Sequence, residues 1–352
     1  MNRSLSLTPL IGDKQLHETR KQINKAQKIV LVTHLSPDGD AMGSSLGLYH
    51  YLKNIDKNKE VRVIVPNAYP YFLKWMKGVD NVVVYTNTPA VSEEAIKKAE
   101  LIFCLDFNTL KRIGPLGELV EQSKAKKILV DHHPDPDQGF DVVISYPKTS
   151  STCEVVFRLM MQMDGLDNIT SAVAECIYTG MMTDTGGFTY NSNNPEIFEI
   201  ISILLKKGVD RDLIYRRVFN NYSDQRFKLL GFTLSKRMKL YPEFNASLIY
   251  LSLEDQKQFN LTKGDTEGFV NYPLSIKGIL FSGFIREDEE LTKISLRSQG
   301  NFPCNQFAAE YFNGGGHFNA SGGEFYGEME DAIALFEKGL EKYKGLLQES
   351  AI

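Results

Sequence analysis

The first half of the chain alternates short apolar runs with amphipathic stretches. Apolar runs of strand length occupy residues 28–33, 61–65, 82–85, 101–105, 127–130 and 142–144. Between them, residues 41–54 and 91–99 have the apolar spacing that is typical of helices. Strands that alternate with helices in this way predict an α/β unit with a largely parallel sheet.

The second half begins with helical patterns and then returns to strands. Ser151 to Glu154 has the spacing of a capping box and predicts a helix over 152–163. Further helices are predicted over 171–182, 197–206, 211–238, 304–312 and 329–347, and strands over 246–252, 277–286 and 291–297. We therefore expect a first domain over residues 1–210, a helical linker over 211–238 and a smaller α/β domain over 239–352.

Composition narrows the class of protein. The 352 residues are 42% hydrophobic and 24% charged, which is ordinary for a soluble globular protein. A net charge of -4 argues against coating long nucleic acid, but not against gripping a short nucleotide with a few residues.

The four cysteines form no C-x-x-C pair, and residues 1–13 lack the apolar run of a signal peptide. No run reaches the roughly 18 apolar residues that span a bilayer, so we expect a cytoplasmic protein with no membrane partner.

Acidic and histidine side chains gather at the ends of the predicted elements of the first domain. They are His34, Asp38 and Asp40 after the first strand, Asp106 after the fourth, Asp131-His132-His133 after the fifth, and Asp184 at the end of a helix. Taken singly, each motif is more simply a turn or a helix cap. Parallel sheets, however, bind ligands beyond the carboxyl ends of their strands. Together the motifs predict a metal site assembled from distant segments.

The residue types indicate the metal and its chemistry. Carboxylates with a few histidines suit two divalent ions, most simply Mn²⁺ and also Mg²⁺. Two ions need a bridging carboxylate, and Asp106, isolated at the end of a central strand, is the natural candidate. Such a pair activates a water for in-line attack on phosphorus and neutralises the charge that develops on the phosphoryl oxygens.

A second group of residues suits the binding of a phosphate. Gly314, Gly315 and Gly316 allow close approach of the backbone to an anion, and His317 adds a hydrogen-bond donor. Arg297, on a predicted strand, can bind a phosphate in bidentate fashion. Without the glycines, a surface salt bridge would be the simpler interpretation of this arginine.

The roles of two other arginines stay open. Arg286 stands beside an acidic run, which favours a solvated hairpin tip over a phosphate contact. Arg112 could either contact the site or brace its loop.

These motifs resemble a known family as a set. His34-x-x-x-Asp38-x-Asp40, Asp106, Asp131-His132-His133 and Asp184-Thr185-Gly186 resemble the four motifs of the DHH phosphoesterase superfamily. The segments 314–317 and 295–298 resemble parts of its DHHA1 substrate-binding domain. The resemblance covers residues 15 to 345 and is nearest to the bacterial oligoribonuclease and phosphoadenosine-phosphate phosphatase subfamily. Asn313 departs from it, because many relatives have a fourth glycine there, and we expect a local adjustment.

The resemblance implies a role for each candidate residue. One ion takes His34, Asp38 and Asp106, and the other takes Asp40, Asp106, His132 and Asp184. His133 contacts the scissile phosphate or serves as general acid. Substrate binding falls to Arg297, Ser298, Gly314, Gly315, Gly316 and His317.

The resemblance also implies the activity and the partners. The expected reaction is Mn²⁺-dependent hydrolysis of short single-stranded RNA or DNA oligonucleotides and of 3'-phosphoadenosine 5'-phosphate, a nucleotide bisphosphate. A homodimer is plausible on the same ground.

Four alternatives remain for the function. A phosphodiesterase for linear dinucleotides such as pApA and pGpG would use the same site. A processive exonuclease is disfavoured by the lack of basic charge and of an extra domain, and a family II-type pyrophosphatase by the Gly-Gly-Gly-His segment. A nucleotide sensor without catalysis would have lost a metal ligand, and none of the expected ligands is missing.

Overall fold

A computed structural model describes residues 7–262 and 264–349. The chain divides into two compact units, Met1–Asn221 and Tyr222–Ile352. Each unit is built on its own six-stranded sheet, and helices flank the parallel sheet of the first. The predicted α/β class, with a parallel sheet in the first part and a second sheet in the smaller part, is confirmed.

The sheet of the first unit is parallel throughout. Its strands are β1 (Lys28–Thr33), β2 (Glu60–Val65), β3 (Val82–Val84), β4 (Leu101–Leu105), β5 (Lys126–Asp131) and β6 (Val142–Ser145). They lie in the order β3-β2-β1-β4-β5-β6, and every neighbouring pair is parallel. The order reverses between β1 and β4, and α/β sheets bind their ligands beyond the carboxyl ends of the strands at such a point.

Helices cover both faces of this sheet. They are α1 (Asp13–Lys25), α2 (Gly39–Ile55), α3 (Pro89–Lys98), α4 (Pro115–Gln122), α5 (Thr152–Asp164), α6 (Ser171–Asp184), α7 (Pro195–Lys206) and α8 (Arg211–Phe219). Alternate residues of β1 pack into separate apolar clusters, Leu31 into one and Val32 into the other. Burial on both faces explains why the strands are nearly continuous apolar runs in the sequence.

Helices α2 and α6 pack unusually close together. Gly39, Gly43 and Gly47 recur every fourth residue on α2 and therefore share one face of the helix. A Cβ on Gly43 would lie 2.6 Å from the carbonyl oxygen of Cys176, and one on Gly39 would collide with the side chain of Thr183. The missing side chains thus let the first turn of α2 lie against the last turns of α6.

The second unit has a mixed sheet. Its strands are β7 (Met238–Tyr241), β8 (Ala246–Leu251), β9 (Phe281–Glu287), β10 (Thr292–Ser298), β11 (Gly315–His317) and β12 (Ala320–Phe325), in the order β11-β12-β10-β9-β8-β7. The pair β8 and β9 is parallel and the other pairs are antiparallel. The helices are α9 (Asp224–Lys236), α10 (Leu253–Gln258), α11 (Cys304–Tyr311) and α12 (Met329–Glu349). Phe281 stacks on Phe336 at the centre of this unit's apolar core, with ring centroids 5.4 Å apart.

Two of the predicted elements differ clearly in the structure. The stretch 211–238, predicted as one helix, forms α8 and α9, because Ser223 accepts a hydrogen bond from the amide of Arg226 and starts a new helix. The strand predicted from residue 277 begins at Phe281, since Gly278 has a φ of 88° that belongs to a turn.

Among the described residues, no helix is both long enough and apolar enough to cross a membrane.

Candidate metal centre

The first group of candidate ligands forms where β1 ends and α2 begins. Asp38 is the N-cap of α2, and its Oδ1 accepts hydrogen bonds from the amides of Asp40 at 2.9 Å and Ala41 at 3.0 Å. His34 Nε2 lies 3.8 Å from Asp38 Oδ1 and 3.3 Å from Asp106 Oδ2. One ligand atom from each of His34, Asp38 and Asp106 can therefore face a single ion.

A second group lies on the other side of Asp106. His132 Nε2 is 3.9 Å from Asp40 Oδ2, 3.6 Å from Asp184 Oδ2 and 3.7 Å from Asp106 Oδ1. Asp40 and His132 are buried, whereas a quarter of the Asp184 side chain is exposed, at 26%. The two oxygens of Asp106 thus face different groups, which is the position that a bridging carboxylate occupies.

The backbone at Asp106 is unusual. The residue follows the last residue of β4 with a φ of 67°, in the left-handed region, and its amide donates to the carbonyl of Val130 at 3.2 Å. Aspartate tolerates this conformation better than most residues. Left-handed backbone held by surrounding structure is concentrated at functional sites, and here it aims the carboxylate between the two groups.

The charges of the cluster are not balanced without a cation. Burial lowers the pKa of His34, but hydrogen bonds to Asp106 and Asp38 outweigh it and raise this pKa to about 10. Burial raises the pKa of Asp106, yet contact with His34 holds it well below its usual range. Burial and the neighbouring carboxylates of Asp106 and Asp184 raise the pKa of Asp40 well above its usual value. Divalent cations would relieve this repulsion and take the place of the bound protons, so the donor set fits them.

His133 is held by its own carboxylate partner. Its Nδ1 lies 2.8 Å from Asp131 Oδ1, and Asp131 is fully buried at the end of β5. This contact engages Nδ1 and orients the ring, so that Nε2 lies on the side away from Asp131. Asp106, Asp131 and His133 also lie close enough to form a ligand group, but this hydrogen bond uses Asp131 Oδ1 and His133 Nδ1.

The start of α5 contacts the cluster through residues that the sequence analysis did not single out. The amides of Thr152 and Cys153 donate to Asp40 Oδ2 at 2.6 Å and Asp40 Oδ1 at 2.8 Å. The hydroxyl of Thr152 donates to Asp106 Oδ1 at 2.9 Å. In the sequence these residues showed only a helix start, and nothing local indicated contacts with residues 46 and 112 positions away.

The predicted capping box at α5 is only half formed. Ser151 Oγ accepts from the amide of Glu154 at 3.1 Å. The carboxylate of Glu154 instead accepts from the amide and the hydroxyl of Ser150, at 2.8 and 2.7 Å. The loop before α5 is therefore fixed by a buried carboxylate.

The turn that carries His34 is braced from two sides. The amide of Leu35 donates to the carbonyl of Arg112 at 2.8 Å, and the amide of Ser36 donates to Asn67 Oδ1 at 2.6 Å. Arg112, whose role the sequence left open, thus braces the loop of the site through its backbone.

The triple glycine of the second unit begins the hairpin of β11 and β12, in which His317 pairs with Ala320. A Cβ on Gly314 would collide with the carbonyl of Gly322, and one on Gly316 would lie 2.8 Å from the carbonyl of Ala320. Gly315 is exposed, and a Cβ there would meet no atom within 4 Å. The hairpin itself requires two of the glycines and leaves an open face at the third.

Asn313, Arg297 and Ser298 lie next to this hairpin. Asn313 adopts a φ of 47°, a left-handed conformation that glycine takes freely and asparagine tolerates. Arg297 lies on β10, and its Nη1 donates to the carbonyl of Leu296 at 2.9 Å. The hydroxyl of Ser298 donates to the carbonyl of Phe302 at 2.6 Å and accepts from Asn319 at 2.8 Å, so it is engaged within the unit.

Arg286 has local partners. Its Nη1 donates to Thr266 Oγ1 at 3.1 Å, and its Nη2 lies 3.4 Å from Asp288 Oδ2. These contacts hold Arg286 within the second unit, and its side chain is only 22% exposed, which is less than the solvated hairpin tip that the acidic run favoured.

Two family models match the chain. The model described as the DHH family, N-terminal domain, matches residues 28–181, and the model of the DHHA1 domain matches residues 245–342. The first match contains the two ligand groups except Asp184, and the second contains the glycine hairpin.

Individual proteins are similar over most of the chain. The bifunctional oligoribonuclease and PAP phosphatase NrnA of Thermus thermophilus is 29% identical over 314 residues, which cover 89% of this chain and 88% of that protein. The cyclic-di-AMP phosphodiesterase PdeA of Listeria monocytogenes is 26% identical over 84% of this chain and 44% of its own length. The crystal structure of an exopolyphosphatase-related protein from Bacteroides fragilis is 55% identical, with a TM-score of 0.93 over 97% of this chain and 100% of that chain.

Proposed function

Because this chain belongs to the DHH family and carries a DHHA1 domain, it is a hydrolase of phosphoester bonds, and we propose that it acts on short single-stranded oligonucleotides and on 3'-phosphoadenosine 5'-phosphate. The observation that carries the proposal is the pair of ligand groups that share Asp106, one oxygen facing each. Relatives named as oligoribonuclease and PAP phosphatase, matched over most of their length, support this choice of substrates.

We assign two divalent ions to the centre. His34, Asp38 and Asp106 would hold one, and Asp40, Asp106, His132 and Asp184 would hold the other. Four carboxylates with two histidines favour Mn²⁺, with Mg²⁺ as the second choice. When bound, the ions would supply an activated water and neutralise charge on the phosphoryl oxygens.

His133 is suited to give a proton to the leaving group. As the bond between phosphorus and the leaving oxygen breaks, that oxygen gains negative charge and needs a proton, which His133 Nε2 would provide. Asp131, bonded to Nδ1, would hold the ring and stabilise its positive form.

The second unit would bind a phosphate that does not react. Arg297 offers a planar set of donors, Gly315 an open stretch of backbone, and His317 a further donor. Gly314 and Gly316 would shape the hairpin. Ser298, whose hydroxyl is engaged, would hold the turn that follows β10.

Turnover of linear dinucleotides such as pApA is the second candidate function. The Listeria relative named as a cyclic-di-AMP phosphodiesterase matches 84% of this chain, and the same centre would serve this reaction. The name of the Bacteroides relative adds inorganic polyphosphate as a substrate to be tested.

The test is a comparison of substrates with and without Mn²⁺. Chelated protein would be given an RNA dinucleotide, a long single-stranded RNA, 3'-phosphoadenosine 5'-phosphate, pApA and polyphosphate. We expect fast Mn²⁺-dependent hydrolysis of the dinucleotide and the bisphosphate, and slow hydrolysis of the long strand. Preference for the long strand or for polyphosphate would contradict the proposal. The Asp106→Asn variant, purified in parallel, controls for contaminating nucleases.

A further inference from the structure

The first turn of α5 reaches the candidate centre at two carboxylates. Both oxygens of Asp40 accept amide hydrogen bonds from this turn, and Asp106 Oδ1 accepts the Thr152 hydroxyl. Thr152 and Cys153 are fully buried, so water does not compete for these bonds. One helix end thus orients carboxylates from two distant segments.

These contacts fall on one side of the centre. Thr152 bonds the oxygen of Asp106 that lies toward His132, and Asp40 belongs to the same group as His132. The other group has separate anchors: Asp38 is held by the first amides of α2, and Asp106 Oδ2 faces His34.

The start of α5 is itself held rigidly. Arg158 lies 2.9 Å from Glu154 Oε1 and 2.8 Å from Glu196 Oε2. Glu154, only 1% exposed, also binds the amide and hydroxyl of Ser150. Buried paired charges of this kind fix a single geometry, since breaking one partner is strongly unfavourable.

From this asymmetry we propose that Thr152 is a positioning residue for the second ion, the one assigned to Asp40, Asp106, His132 and Asp184. Its hydroxyl fixes the rotation of the Asp106 carboxylate, so that Oδ1 is presented toward His132. Groups that orient ligands in this way change metal affinity by about 10- to 100-fold when they are removed. The inference rests on the proposed two-ion centre.

The test is a titration of metal-free, full-length protein with Mn²⁺, followed by calorimetry and by the electron paramagnetic resonance signal of free Mn²⁺. The variant Thr152→Val removes the hydroxyl at nearly constant volume, and Thr152→Ser keeps it. We expect the wild type and Thr152→Ser to bind two ions. In Thr152→Val the second ion should bind about 10- to 100-fold more weakly, with the first changed by less than about threefold.

A matched control and a second variant complete the design. Thr19 is a fully buried threonine of α1 whose hydroxyl has no hydrogen-bond partner among the described residues, so Thr19→Val should bind both ions as the wild type does. If Thr152→Val does not fold, Thr152→Ala removes the same hydroxyl without bulk. Wild-type affinity for the second ion in either variant, or equal weakening of both ions, overturns the inference. A wild-type protein that binds fewer than two ions overturns the two-ion centre instead.

Discussion

The candidate metal centre and the glycine hairpin are built in contrasting ways. The centre collects side chains from the ends of β1, β4, β5 and α6 and the start of α2, and most of them are buried. The hairpin presents one exposed stretch of backbone from a single segment. Electrostatic interactions of side chains that change charge or hold ions are stronger in a buried site than in water. A phosphate, in contrast, can be held at a surface by backbone amides and one cation. We therefore expect mutations in the centre to affect catalysis and mutations in the hairpin to affect substrate binding.

The largest expected effect comes from Asp106→Asn. An amide has only one oxygen and no negative charge, so it cannot serve both ligand groups. We expect turnover to fall by more than the roughly 100-fold that removal of an orienting group causes, together with loss of paired Mn²⁺ binding. Turnover and ion stoichiometry are the measurements. The exposed Asp167→Asn, which belongs to none of the candidate ligand groups, is the matched control. Near-normal turnover in Asp106→Asn would refute the bridging role.

His133→Asn separates proton transfer from metal binding. The amide can still donate to Asp131, but it has no nitrogen that gives up a proton at neutral pH. We expect kcat to fall by about 10²- to 10⁴-fold while both ions remain bound. Loss of an ion from this variant would instead make His133 a ligand.

Two glycine variants probe the hairpin. Gly314→Ala places a methyl group against the carbonyl of Gly322, which should cost roughly 1–3 kcal/mol of unfolding free energy. Gly315→Ala meets no atom and should leave the melting temperature unchanged. It should raise KM about tenfold, as one weakened hydrogen bond to a charged group would. An unchanged KM would remove Gly315 from the substrate site.

Arg297→Lys keeps the charge but loses the bidentate geometry. We expect KM to rise by about tenfold for a dinucleotide with a terminal phosphate. A dinucleotide that lacks this phosphate should show no difference between variant and wild type. An equal increase for both substrates would show that the lysine disturbs the fold of the hairpin.

The smallest expected effect is on stability in the second unit, away from either site. Burial raises the pKa of Asp255, but the paired guanidinium of Arg237 and the bonds from Ser252 lower it below its usual value. A carboxyl group whose pKa is lower in the folded state stabilises the fold at pH values above its unfolded pKa of about 3.9. This stabilisation is lost as the pH falls through the folded pKa. Asp255→Asn should therefore lower the melting temperature at neutral pH, with a difference that shrinks below about pH 4. A difference that persists in acid would contradict this explanation.

Much of the first unit was predictable because its strands are buried on both faces. The runs 28–33 and 101–105 match β1 and β4 end to end. The grouping of acids and histidines followed from the shared edge where parallel strands end. In contrast, α1 was not predicted because it has few apolar positions and a large exposed polar face. Strand β11 was not predicted because its glycines give no alternation of apolar and polar side chains.

The detailed geometry of the centre could not be predicted from the sequence. Which oxygen of Asp106 faces which group depends on a left-handed backbone and on a hydroxyl from Thr152, 46 residues away. The helix pattern over 211–238 is interrupted by a polar run over 220–225, and the N-cap signal at Ser223 inside that run was missed.

The close packing of α2 against α6 has a consequence for protein engineering. Gly43 and Gly180 hold no ligand, yet a Cβ on either would strike the neighbouring helix or the thiol of Cys153. A design that grafts this cluster of acids and histidines onto another scaffold must therefore keep glycine at these positions. A transplant that copied only the reactive side chains would set Asp40 and Asp184 too far apart for one cation.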